Sequence, residues 1–228
     1  MTPARLDELL GMPPIPRGTW AREAVYLFPA AAREGRDPEA TAGRLRGLPG
    51  IADVRVRPGG FLEIVVAVPG ELVTEIAPAA PATSAVPGDP APVAGVSPWG
   101  DLPRTWANPG FAVRYAHVRA VAVQRWAAEL GVGGRFEPEL LDGPLDRAVL
   151  RVLAEAHGRR ASRDPGWAAY AGRLALAYHD AFEGAGPLPA GDEEPSPLHT
   201  ARVRLARAVR DVLAEALAAV GETPPDRI

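Results

Sequence analysis

The sequence predicts a small α+β domain over residues 1–77 followed by an all-α helical bundle over 108–228. Three observations carry that reading. "IADVRVR" (51–57) alternates apolar and charged residues, and after the turn "PGG" (58–60) "FLEIVVAV" (61–68) stays extended. Residues 78–107 hold seven prolines and no periodicity. Beyond them, apolar residues recur at helical spacing to the end of the chain.

In chain order, "AREAVYLFPAAAREG" (21–35) reads as a helix that Pro29 must kink or end. Asp37-Pro38-Glu39 predicts a second helix running to about Gly47, with a capping carboxylate followed by proline at the first helical position. The segments 51–57 and 61–68 then form a β-hairpin, with Val54 and Val56 on one face. The stretch 78–107 reads as an extended Pro/Ala-rich linker, with Trp99 and Trp106 near its end placed to anchor it on the following domain. Helices are expected near 111–130, 144–157, 165–183 and 200–220. In the last, Leu205, Val209, Val212, Leu213, Ala216, Leu217 and Val220 make one apolar stripe. The loop 184–199 is acidic at Asp192 to Glu194.

Composition narrows the chemistry. With 47% hydrophobic and 23% charged residues over 228, the chain has ordinary globular chemistry and suits one large or two small domains. It contains no cysteine, which excludes disulfides and thiol catalysis. All 25 basic residues are arginine, so a Schiff-base lysine or a phosphate-loop lysine is impossible. No apolar run is long enough to span a bilayer, and no secretory leader is visible, so a cytoplasmic protein is expected. The net charge of −3 lacks the bulk basic footprint of nucleic-acid binding and leaves room only for local patches.

Few residues offer catalytic or metal chemistry. His117, His157, His179 and His199 share no helical metal-pair spacing, so no metal site is expected, and no cofactor motif is present. No Gly-x-Ser-x-Gly elbow occurs. Arg202, Arg204, Arg207 and Arg210 could present guanidinium forks to phosphate or simply form a solvated face interrupted by Asp211 and Glu215. Tyr115 and Tyr178 suit either stacking on unpaired bases or a core position with a tethered hydroxyl.

The segment "NPGFAVRYAHVRA" (108–120) resembles the opening of the DALR-type anticodon-binding domain of arginyl-tRNA synthetases, through its Asn-Pro, Phe111 and Tyr115-Ala116-His117-x-Arg119. "YAGRLALAYHDAF" (170–182) looks like an inner helix of that domain, and "RLARAVRDVLAEALAAVGETPPDRI" (204–228) looks like its last helix and terminal extension. Residues 32–67 are similar to that family's N-terminal additional domain, which touches the tRNA elbow. The resemblance implies tRNA, arginine tRNA above all, as partner. It implies RNA-contacting roles for Tyr115, His117, Arg119, Arg204, Arg207, Arg210 and Arg227, with Phe61 as an elbow contact.

Between those two parts the family carries its catalytic domain, and here a linker of roughly 30 residues stands instead. The His-Ile-Gly-His-type signature is absent, and a Lys-Met-Ser-Lys-Ser-type loop cannot exist without lysine. The expectation is therefore a non-catalytic tRNA-binding protein with no catalytic residues of its own. Arg114, Glu215-Ala216 and Glu222 depart from the family pattern, and a new glutamate beside an RNA surface would repel phosphate. A protein-interaction or regulatory module that kept the fold and lost RNA is the alternative; a new enzyme acting on charged tRNA has no acid–base constellation to support it.

Overall fold

The computed structural model describes residues 1–30, 37–76 and 97–227. Most of the predicted linker (78–96), the end of the predicted first helix (31–35) and Ile228 lie outside the described residues. The chain divides into two compact units, Met1–Glu75 with Pro138–Asp164, and Ile76–Glu137 with Pro165–Ile228.

The first unit is built on a four-stranded antiparallel sheet in the order β1-β2-β4-β3. Its strands are β1 (Ile15–Arg17), β2 (Ala24–Pro29), β3 (Ile51–Arg57) and β4 (Phe61–Val66). Tyr26 lies opposite Ile64, Phe28 opposite Leu62, Val54 opposite Ile64 and Val56 opposite Leu62. Directly opposed residues share a face. Val54 and Val56 therefore do lie on one face, together with Tyr26, Phe28, Leu62 and Ile64. The hairpin turn needs Gly59 and Gly60 in succession at φ 80° and 73°, a backbone that side-chain-bearing residues avoid.

The helix predicted over 21–35 is corrected: Ala24–Pro29 is a central strand. Ala24, Tyr26 and Phe28 are buried, while Val25 and Leu27 between them are half-buried. Pairing on both edges with β1 and β4 overrides the helical propensity of the alanine-rich flanks. Pro29, which has no N–H to donate, closes the ladder.

Helix α1 (Pro3–Leu10), which periodicity does not announce, starts at a Thr2 cap and buries Leu6 and Leu10. Helix α2 (Pro38–Arg46) starts where expected, with the Asp37 carboxylate accepting from Glu39 N at 3.1 Å and Ala40 N at 3.2 Å. It packs on β3 and β4.

Helices α4 (Pro144–Leu153) and α5 (Glu155–Arg160) also belong to this unit, although the sequence reading groups them with the C-terminal helices. Arg147 donates to the carbonyls of Trp20 (3.3 Å) and Arg22 (3.2 Å), and Arg151 donates to Gly18 O at 2.9 Å. His157 meets the Asp7 carboxylate at 2.8 Å. An amphipathic pattern shows that a helix has an apolar face and not which neighbour covers it.

In the second unit α3 (Pro109–Glu129), α6 (Trp167–Gly184) and α7 (Pro197–Ala219) pack pairwise as three helices. The α7 stripe from Leu205 to Leu217 is buried as predicted, with Val220 half-buried at its end. Val113, Ala116, Ala120, Val123, Leu174 and Ala175 face it in the core. No helix among the described residues is long and apolar enough to cross a membrane. No His/Asp/Glu group among them could hold a metal.

Replacing Arg147 with alanine should leave the carbonyls of the β1–β2 loop short of a donor and destabilise the first unit by about 1–3 kcal/mol. Amide exchange should then speed in β1 and β2 and stay unchanged in α3, α6 and α7. Faster exchange in the three helices instead would place 138–164 with them.

Candidate functional site

The site begins where α3 begins. Asn108 is the N-cap, its Oδ1 accepting from Gly110 N at 3.0 Å and Phe111 N at 3.5 Å. Its Nδ2 turns the other way and donates to Gly100 O (2.9 Å) and Pro103 O (3.1 Å). One amide thus fixes both the first turn of α3 and the described segment 97–107 leading into it. Trp99 lies over Gly110, where any side chain would collide with it. Trp106 stacks on His179 with ring centroids 3.9 Å apart and sets its edge against Tyr115 at 5.3 Å. Both tryptophans therefore anchor the lead-in segment, as the sequence suggests.

Tyr115, His117 and Arg119 are all committed inside the unit. Arg119 lies between the Tyr115 and Phe182 rings, 4.7 and 4.3 Å from their centroids. It donates to the Tyr115 hydroxyl (3.0 Å), His179 Nδ1 (3.1 Å) and Glu183 (2.9 Å). His117 is buried on a different side of the helix, and its Nδ1 donates to Pro225 O at 3.0 Å. Burial pushes its pKa below the ordinary histidine value, so the ring is held neutral and offers phosphate no charge. Tyr178 is a core residue; burial raises its hydroxyl pKa.

The remaining predicted contacts separate into free and engaged cations. Arg204 is exposed and Arg207 half-buried, and neither has a hydrogen-bond or ion-pair partner among the described residues. Arg210 bonds the carboxylate of its neighbour Asp211 at 2.7 Å, which cancels most of its charge. Phe61 is 38% exposed at the start of β4 in the first unit, apart from the helical set. Arg227 lines a cleft of about 470 Å3 together with Arg104, Phe111, Leu102 and Pro225. Arg104 and Arg227 are exposed and have no partner among the described residues.

Sequence reasoning missed Arg104 and the role of Leu102, because both sit in a proline-rich stretch without periodicity. Phe111 carried a signal in the helix-opening motif but was not placed at a site.

Arg114 and the exposed Asp101 complete the lining of the cleft. Arg114 Nε and Nη2 donate to the two Glu222 oxygens, each at 2.8 Å, and Asp101 lies 3.4 Å from Nη1. Ser97 donates its hydroxyl to the same glutamate. The Arg114 fork holds the Glu222 carboxyl below the ordinary carboxylate range, and the carboxylate raises the Arg114 pKa in turn. Glu222, expected to repel phosphate, has its carboxylate engaged by Arg114.

No protein-family model matches the chain. Over 131 residues it is 40% identical to an arginine–tRNA ligase from Clavibacter sepedonicus. The match covers 55% of this chain and 24% of that ligase, so the chain spans about a quarter of that relative's length. The likeness supports a relationship between this chain and arginyl-tRNA synthetases.

The buried neutral His117 gives the second unit a defined pH response. Between the lowered folded pKa and the unfolded value of roughly 6.5, the unfolded chain binds more protons, so stability rises with pH across that window. Stability should be full above that window, fall as pH drops through it and level off below it. Denaturant midpoints from pH 8 to 5 should show this slope, and His117→Gln should flatten it.

Proposed function

We propose that this chain is a non-catalytic tRNA-binding protein whose helical unit contacts the anticodon arm. The observation that carries the reading is the cleft at the start of α3, lined by Phe111 and by Arg104 and Arg227, which have no partner among the described residues. Guanidinium forks recognise phosphate, and an accessible aromatic ring accepts an unstacked base. Arg204 and Arg207 add a second pair of uncommitted cations on α7. The likeness to an arginine–tRNA ligase makes arginine tRNA the first ligand to try. The first unit, with Phe61 exposed beside its hairpin turn, is the proposed elbow contact. The missing signature motifs and the absence of lysine support a chain that does not activate arginine.

A protein-docking module is the second reading. It is favoured by the internal neutralisation of Arg114, Arg119 and Arg210, which leaves few free cations beside exposed Leu102 and Trp106.

Binding of an arginine tRNA transcript and a non-cognate transcript, each at two salt concentrations, separates the two. Micromolar binding that weakens with salt and favours the arginine tRNA is expected. Arg104→Ala with Arg227→Ala should weaken it and lower the slope of log affinity against log salt by about two, while Arg210→Ala should leave the slope unchanged. Arginine-dependent ATP–pyrophosphate exchange should be absent. Failure to bind either transcript at low salt favours the docking module.

A further inference from the structure

We infer that Arg114 and Glu222 form a positioning latch that seats the C-terminal tail across the start of α3 and thereby sets Arg227 in the wall of the cleft. Its consequence for binding rests on the tRNA-binding reading above; its consequence for the tail does not.

The tail departs from α7 at Gly221, where φ is 81°. Among the described residues, the side-chain ties holding 222–227 are few. Glu222 takes the Arg114 fork at 2.8 Å twice and the Ser97 hydroxyl, and Pro225 O accepts from His117 at 3.0 Å. Arg227 follows two residues later, with no hydrogen-bond or ion-pair partner among the described residues. Its placement therefore depends on the two ties upstream. Of these, the Arg114–Glu222 fork is the stronger, being charge-assisted and bidentate with both side chains largely shielded, 19% and 12% exposed. Because Ser97 joins the same carboxylate, the latch also ties the segment that carries Leu102 and Arg104.

Arg114 could instead be a ligand contact that Glu222 masks, and the two roles predict opposite signs. If the pair is a latch, Glu222→Gln frees the tail and weakens binding of the arginine tRNA transcript to the full chain by roughly tenfold. If Glu222 masks a phosphate site, Glu222→Gln releases a cation, tightens binding and steepens the salt slope by about one. Tighter binding overturns the latch.

A second measurement excludes mere destabilisation. A latch acts through Arg227, so the losses from Glu222→Gln and Arg227→Ala must be strongly non-additive; additive losses overturn it. Amide exchange decides the structural claim even if no transcript binds. Glu222→Gln and Arg114→Gln should each speed exchange of the Glu222 amide, which donates to Leu217 O at 2.9 Å, while α6 and the rest of α7 stay protected, and the double variant should be no worse than either single one. Unchanged exchange in the tail sinks the proposal, whereas a tail that loosens in a protein that binds no RNA leaves the latch standing and removes only the tRNA-binding reading.

Discussion

The second unit is organised around one asparagine. Asn108 is the single asparagine of the chain, and both ends of its amide are in use. The oxygen closes the first turn of α3, and the nitrogen gathers two carbonyls of the segment before it. Aspartate would keep the cap and forfeit both donations; serine would keep a weaker cap and reach neither carbonyl. Asn108 is one of several ties on that segment, together with Ser97 at Glu222, Trp99 against Gly110 and Trp106 on His179. The Asn-Pro-Gly at the start of α3 therefore follows from three separate needs. These are a bidirectional amide, a proline that spares an unused N–H, and a residue with no side chain under Trp99.

Helix geometry also explains why tyrosine, histidine and arginine alternate in the following turn. Residues four apart lie on one side of a helix and residues two apart do not. Tyr115 and Arg119 accordingly join one cluster with His179 and Phe182, while His117 turns toward the tail and holds Pro225. The alternation serves two structural tasks on two faces. The spacing alone points to two faces, since residues two apart on a helix do not face each other.

Other features were legible to different depths. The Asp37 cap, the hairpin around 58–60 and the α7 stripe each have a local cause, and the structure follows them closely. Ala24–Pro29 was obscured because its strand character lies in its partners, the three-residue β1 and, more than thirty residues away, β4, whereas its alanine-rich flanks speak locally for helix. The grouping of 138–164 with the sheet unit depends on arginine donors reaching backbone carbonyls, and no composition records which carbonyls those are. The cleft was hidden for a related reason: Arg104 and Arg227 come from opposite ends of the helical unit, each in a stretch with no periodic signal.

Charge shows most clearly why residues cannot be judged singly. Taken singly, Arg114 reads as a cation and Glu222 as an anion of the helical unit. In the folded unit the two are one bidentate pair. A guanidinium and a carboxylate at 2.8 Å present a dipole to anything farther away, and over one Debye length of roughly 8 Å in physiological salt little of it survives. The same cancellation occurs at Arg119 with Glu183 and at Arg210 with Asp211. The net charge of −3 is therefore a poor guide to the charges exposed at the cleft. Its lining combines the guanidinium groups of Arg104 and Arg227, the Phe111 ring and the Asp101 carboxylate, while Arg114 in the same wall is already paired with Glu222.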